Sequence, residues 1–516
     1  MGALVGCGAA PVGAGADDGA SADTGGDGSG SSGGDTDGSS TDPEDDRLWI
    51  THAFGRTSML PYENRNTDCV SWTVDNEMPV YVQSVLVSNE GGFHHSNWFV
   101  VPEDVFDGPD GYWPCDERGY SELAAGNQGS VLFAQSTQSY VEEQNLTPGA
   151  VIKIPARSRI VAGIHTLNAS PREAQSGLWV SLAPIHPADV TAVVGPLAME
   201  YRDIELPANQ VSRLSTECDF AAAHEFATGG APLSLKLHYL LPHYHYLGNY
   251  FDVTVVGGEL DGESVYRLDG FNADANGRTF DPPLDLPGAT GLKMTCGYDN
   301  WTSEDVAWGY DEGEMCVLMA LVESDTGMVG SVQLDSQIVG VQDDIHMYEG
   351  PCLAFAIAKN EDQGMPTPEE IDAPLYLPPV DPEDQGLPPF PECKDADRTA
   401  VPDAPATLAS LAETIFAPAC SYASCHGAGG AGQLDLTASD LHAELLGHDV
   451  LLSPGMPLVD PGNPDNSWLY HLLADCEPTL PSGVVVSHMP KNAPQLLDDE
   501  VVAQLRAWIE AGALND

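Results

Sequence analysis

Between residues 46 and 358 the apolar positions come in short runs that alternate with polar ones or are β-branched. "MPVYVQSVLV", "SVLFAQS" and "NYFDVTVVGG" are examples, and Gly, Pro, Asn and Asp break up the runs. Alternation with period two, punctuated by turn residues, predicts β-strands, and many short strands predict sandwiches or barrels. About 300 residues of this texture exceed one sandwich, so two are expected, over 46–200 and 201–358, with the join near 196–212. The pattern then changes twice. Residues 359–404, including "PTPEEIDAPLYLPPVDPEDQGLPPFPE", are Pro-rich and acidic and predict an extended, semi-rigid spacer. Beyond it, "LASLAETIFAPAC" and "DDEVVAQLRAWIEAGA" have helical spacing. In the second, Val501, Val502, Leu505, Trp508 and Ile509 fall on one side, Asp498 and Asp499 suit the first turn, and Gly512 suits the end. The expected fold class is mainly β: two β-sandwiches followed by a small α-helical domain over 405–516.

Composition adds a compartment. Residues 8–45 are almost wholly Gly, Ala, Ser, Asp and Thr, cannot bury apolar area, and predict a disordered tether. Ahead of them, Leu4-Val5-Gly6-Cys7 resembles a bacterial lipobox, in which the cysteine is acylated. The apolar stretch before it is too short for a signal peptide, which fits a start codon placed too far downstream or a chance match. A lipobox followed by a polar tether predicts a bacterial protein held off a membrane by lipid on Cys7, at the periplasmic or cell surface. No stretch is long and apolar enough for a transmembrane helix, so membrane contact is expected only through that anchor. The net charge of −59 excludes nucleic acid as a partner, because so acidic a surface repels phosphate. There are eleven cysteines. With Cys7, Cys420 and Cys425 set aside, an even, widely spaced remainder reads as disulfides in an oxidising compartment, buried thiols being the alternative.

Candidate chemistry starts from "LHYLLPHYHYLGNYF". Strand side chains alternate between faces, so His243 and His245 share one. Such a pair fits a metal chelate or two hydrogen-bonded histidines at a sheet edge. "GGFHHSNWFVV" adds adjacent His94 and His95, "VAGIHTLNAS" adds His165, and "DEGEMCVLMAL" adds Met315 beside Cys316. Taken singly, His165 reads as structural and Met315 as core. As a set they suit copper: imidazole binds Cu(I) and Cu(II), and a thioether favours Cu(I). Three histidines make one site; two histidines and a methionine make a softer one. Zinc would more often recruit Cys or carboxylate.

The motifs His94-His95, His165, His243-Tyr244-His245 and Met315-Cys316, in this order and spacing, resemble the copper type II, ascorbate-dependent monooxygenases, the family of the peptidylglycine α-hydroxylating and dopamine β-monooxygenases. The resemblance covers about 300 residues. It implies two jelly-roll-type β-sandwiches, with one copper on His94, His95 and His165 and a second, oxygen-activating copper on His243, His245 and Met315. It implies insertion of one oxygen atom of O2 into a substrate C–H bond, with electrons from ascorbate or another one-electron donor. It also implies a Cys296–Cys316 disulfide; Cys69–Cys115 and Cys218–Cys352 are expected beside it. Two positions depart from the peptide-amidating members. Leu241 stands where they carry an Arg that holds the substrate carboxylate, and Met319 where they carry a Tyr. An apolar side chain cannot replace a guanidinium fork on a carboxylate, so a small, apolar or neutral substrate is expected.

"IFAPACSYASCHGAGGAGQLDL" contains Cys420, Cys425 and His426. Two cysteine thioethers followed by a histidine ligand attach c-type haem, usually as Cys-x-x-Cys-His; here four residues separate the cysteines. The 405–516 region resembles the small cytochrome c-like domains of bacterial secreted proteins. That resemblance makes His426 and Met489 the axial ligands, with Met456 the second choice, and a Cys420–Cys425 disulfide without haem is the rival. Cys393 and Cys476 are left to pair with each other or to stay unpaired. A one-electron carrier joined to a two-electron oxygenase implies electron delivery from an extracytoplasmic donor, with the linker raising local concentration without a fixed interface. The alternative is an extracytoplasmic copper-binding, electron-transfer lipoprotein with no hydroxylase activity. A peptide ending in a glycine carboxylate is predicted not to be a substrate, and efficient turnover of one in an oxygen-dependent product assay would contradict this.

Overall fold

The computed structural model describes residues 47–134, 140–169, 172–269, 277–309, 313–359, 361–381, 393–422, 425–427, 433–448, 450–451, 453–491 and 497–516. Cys7, the 8–45 tether and residues 382–392 of the Pro-rich stretch lie outside them.

The fold is mainly β, with several sheets. In a first unit, one sheet runs Ile50–Met59, Ala174–Pro184, Val80–Asn89, Ala150–Ile154, Ala192–Val193, with Val141–Asn145 also paired to Val80–Asn89. The other runs Gly111–Pro114, Asn64–Thr73, Ser158–Leu167, Phe93–Pro102, Ser130–Ala134. Their shared core includes Trp72, Val85, Trp98, Ile160, Ala162, Ile164 and Val180. Ile160, Ala162 and Ile164 point into that core, so strand alternation turns Val161, Gly163 and His165 to the opposite face. Val161 there joins a separate apolar patch with Cys69, Phe99 and Trp113.

A second unit starts at Gly195–Tyr201. One of its sheets runs Arg278–Asp285, Lys236–His243, Val317–Glu323, Gly195–Tyr201, Thr326–Val332, Leu353–Ala358. The other runs Ser264–Asp269, Gly248–Gly257, Ala289–Asn300, Gln210–Asp219, Ile345–Glu349, Gln337–Gln342. Leu214, Leu240, Phe251, Met294, Tyr298 and Leu318 lie in their core. On Lys236–His243, Leu240 faces this core, while Tyr239 and Leu241 face away and insert among core residues of the first unit. Leu321 does the same from the neighbouring strand, and Met319 packs against both the core and the outer patch of the first unit. The two units therefore meet through an apolar junction, on the face of Lys236–His243 that also carries His243.

The Pro-rich stretch was expected as an extended spacer. Over its described part it runs along the first unit. Tyr376 Oη accepts from the Glu77 amide at 3.0 Å, and Tyr81 Oη donates to Glu370 at 3.1 Å. A short helix, Pro368–Asp372, starts on a Thr367–Glu370 capping box. Beyond it come Leu408–Leu411, a wide π-helical turn over Ala412–Cys420, Leu441–Gly447, Trp468–Ala474 and Asp499–Glu510. Pro418 sits inside the π turn, where its missing N–H and its ring do not fit regular α geometry. The last helix buries Val502, Leu505, Trp508 and Ile509, with Asp499 and Glu500 in its first turn. These helices are short, are separated by irregular chain, and share one apolar cluster.

The three expected cysteine pairs are disulfides, Cys69–Cys115, Cys218–Cys352 and Cys296–Cys316, and Cys393 and Cys476 pair with each other. Cys218–Cys352 spans 134 residues and ties Gln210–Asp219 of one sheet to the start of Leu353–Ala358 in the other. Closing so long a loop removes much entropy from the unfolded chain. The double variant Cys218→Ser/Cys352→Ser is predicted to lose about 2–5 kcal/mol of stability, measured by urea denaturation of the oxidised protein.

Candidate metal centre

His94 and His95 are neighbours on one strand, and regular pleating would send them to opposite faces. The register prevents this. Phe93 lies opposite Thr166 but His95 lies opposite His165, so one extra residue, His94, is accommodated on this strand. A β-bulge of this kind re-aims side chains locally. His94, His95 and His165 consequently converge, with ligand-capable atoms all within 4.8 Å of one another. His165 Nδ1 is 2.7 Å from His95 Nε2, and His165 Nε2 hydrogen-bonds Asn64 Oδ1. Asn64 lies opposite Leu167, and so on the same face as His165. Its carbonyl accepts from Nε2–H, which turns the Nδ1 lone pair toward the cluster, as a partner behind a ligating imidazole does.

The second set is also built by register. His243 pairs with Val317, Pro242 with Leu318 and Leu241 with Met319. The ladder ends at His243 and Val317; His245 lies just beyond it on one strand and Met315 just before it on the other, and the His243 and His245 rings are 5.1 Å apart. Glu314 holds the arrangement. Its Oε2 accepts from the amides of His245 at 2.8 Å and Met315 at 3.2 Å, and its Oε1 from that of Leu247 at 2.7 Å. One buried carboxylate thus fastens the His-x-His turn to the methionine segment. Burial pushes the Glu314 carboxyl up to about 8, while the three N–H donors pull the other way. His245 Nδ1 donates to the Gly313 carbonyl at 2.7 Å, leaving Nε2 as its lone-pair nitrogen. Tyr298 Oη donates to the Met315 carbonyl at 2.6 Å, and Cys296–Cys316 anchors the next residue. Met315 is buried yet lies outside the apolar cores formed by the described residues.

All six side chains are buried, none more than 7% exposed. Burial first, then the imidazoles of His165, His94, His243 and His245, hold His95 well below the usual histidine range. His165 is pushed down to about 4 by burial. Neutral imidazole is the form that binds metal. The imidazoles of His243 and His245 are among the groups acting on His95, so the two sets lie within electrostatic reach of each other.

Cys420 and Cys425 are not joined in a disulfide. Burial, and then Cys425, push the Cys420 thiol up to about 12. The Cys425 amide donates to the Tyr422 carbonyl at 2.8 Å and the His426 amide to the Cys420 carbonyl at 3.0 Å. Met489 packs against both the C-terminal cluster and the core of the second unit, where Cys425 also lies; Met456 packs against the C-terminal cluster.

Asn64 and Glu314 are the partners that sequence reading did not single out as supports. Asn64 carries no local signal. Glu314 does, as the last residue of the acidic stretch Asp311-Glu312-Gly313-Glu314, directly before Met315-Cys316.

No family model matches the chain, and no curated protein matches it in sequence. Among solved structures, similarity is found to a chain of Sulfolobus Turreted Icosahedral Virus (8% identity, 52% of this chain and 59% of that chain, TM-score 0.17). It is also found to the PBSX exported protein XepA (9% identity, 53% and 86%, TM-score 0.15). A third similarity is to the T13 particle of infectious bursal disease virus (8% identity, 55% and 71%, TM-score 0.13). The chain thus spans 59% of the length of the Sulfolobus virus chain. Scores this low carry no argument about fold or function.

Asn64→Ala is predicted to weaken metal binding by the His94–His95–His165 set about 10–100-fold, as read by competition with a chelator. Glu314→Ala should act on the other set and cost about 3 kcal/mol or more through its three unsatisfied amides, as read by thermal denaturation.

Proposed function

We propose that the chain is an exported copper-dependent monooxygenase that hydroxylates a C–H bond of a small, uncharged substrate with O2. The convergence of three imidazoles on one strand pair, beside a buried His-x-His turn fastened to Met315, supports this most strongly. The donor chemistry fits copper. Imidazoles alone suit either oxidation state, and adding a thioether biases the second set toward Cu(I). Copper bound there would supply one electron per centre and reduce dioxygen, placing one oxygen atom in the substrate and releasing the other as water.

The chain's own part is positional. Asn64 and the Gly313 carbonyl each hold an imidazole in the tautomer that offers a lone pair. Glu314 fixes the spacing of His245 and Met315. Leu241, Tyr239, Met319 and Leu321 make the junction apolar and exclude water from it. A side-chain carboxylate on a substrate would find no cation at Leu241 or Met319, which supports an uncharged substrate.

The 405–516 region fits a cytochrome c-like module in its donor set. Two unlinked thiols at Cys420 and Cys425 suit thioether attachment, His426 follows, and Met489 rather than Met456 packs where Cys425 packs. A c-type haem held there would supply a one-electron carrier. Four disulfides suit an oxidising compartment outside the cytoplasm, and no helix among the described residues is long and apolar enough to cross a membrane.

The test is substrate-dependent product carrying label from oxygen-18 gas, with ascorbate as reductant, on protein exported with its metals. Met315→Ala is predicted to lower product formation on the order of a hundredfold while copper at His94, His95 and His165 is retained. Two bound coppers with no hydroxylated product from a broad metabolite screen would replace this reading with that of a copper-binding, electron-transfer protein.

A further inference from the structure

The sequence alone suggests a C-terminal module on a loose tether. The structure instead seats it on the β body beside the histidines, and the contacts come from both units. On the first unit, Tyr62 and Ala169 pack into the C-terminal apolar cluster. Tyr62 lies two residues before Asn64, and Ala169 four residues after His165. Tyr422, three residues before Cys425, donates its hydroxyl to the Asn168 carbonyl at 3.5 Å. Arg172 pairs with Asp498 at 3.0 Å, at the start of the last helix. On the second unit, Cys425 is part of the apolar core, with Tyr422 and Met489 packed against it.

We infer that the C-terminal module is docked on the β body rather than free on its linker, and that Tyr422 is the positioning residue that sets the Cys420–Cys425 turn against the end of the His165 strand. The inference rests on the proposed function for its purpose but not for its geometry. The energetic weight falls on apolar contact. Tyr422, Tyr62 and Met489 remove apolar surface from water, whereas the exposed Arg172–Asp498 pair contributes little and chiefly fixes orientation. Burial raises the Tyr422 phenol well above its ordinary range, consistent with a neutral hydroxyl kept in a dry contact. Over its described part the Pro-rich stretch runs along the first unit, which favours the docked state. Whatever group the two thiols hold is thereby set near Asn168, three residues beyond His165.

The experiment uses the full chain, without added copper, and reads hydrogen exchange together with small-angle scattering. Wild type should scatter as one compact particle, with slow exchange in 60–63, 168–169 and 420–427. Tyr422→Glu, which forces a charge into the contact, should expand the particle and lower protection in these segments about tenfold or more. Ala169→Glu should do the same from the opposite side of the contact, with Trp508 fluorescence unchanged, showing that the module itself stays folded. Tyr422→Phe should keep the docked state. Wild-type scattering from an extended, variable particle, or exchange unmoved by both charge variants, would overturn the inference. Because neither readout involves metal, haem or turnover, a docked module in a protein that binds no copper would sink the functional reading and leave this one standing.

Discussion

Hydrogen-bond register is the constraint on which the site depends. Side chains from strands distant in the chain become neighbours only because pairing fixes which residues share a face. The pairing of His95 with His165 brings two imidazoles to one spot, and the extra residue on the His95 strand adds His94. The pairing of His243 with Val317 brings the His-x-His turn beside the Met315 segment, and Glu314 fastens the two. A slip of one residue in either register would turn the imidazoles to the other side of their sheet. The supports follow from the same constraint. Asn64 stands opposite Leu167, and Glu314 sits one residue before the methionine whose position it fixes.

The junction between the units gives these two faces a common environment. Tyr239, Leu241, Met319 and Leu321 belong to the strands that carry or approach the second ligand set, yet they pack into the first unit. Apolar closure of this kind keeps buried imidazoles neutral and keeps bulk water from reaching them. It also gives Leu241 and Met319 a structural use: each makes contact between the units.

Much of this architecture was legible in the chain. Alternating runs marked the strands Val80–Asn89, Ser130–Ala134 and Gly248–Gly257, and helical spacing marked Asp499–Glu510. Separation by two placed His243 and His245 together, and the cysteine pairings hold throughout. What stayed hidden depended on partners far away in the chain. The bulge at His94 is visible only against Thr166 and His165. Asn64 gains its role from a histidine 101 residues later. The course of the Pro-rich stretch depends on Glu77 and Tyr81, and the seat of the C-terminal region depends on Tyr62 and Asn168. Local composition marked that stretch as extended but carried no information about the surface it lies on.

The central claim is that five imidazoles and one thioether form two unlike copper sites. Copper K-edge X-ray absorption of the fully reduced protein tests it most directly. The account predicts two coppers per chain, nitrogen scatterers at both, and sulfur scattering equivalent to one Met315 thioether per two coppers. Two coppers with nitrogen or oxygen scatterers alone, or a single copper per chain, would contradict it.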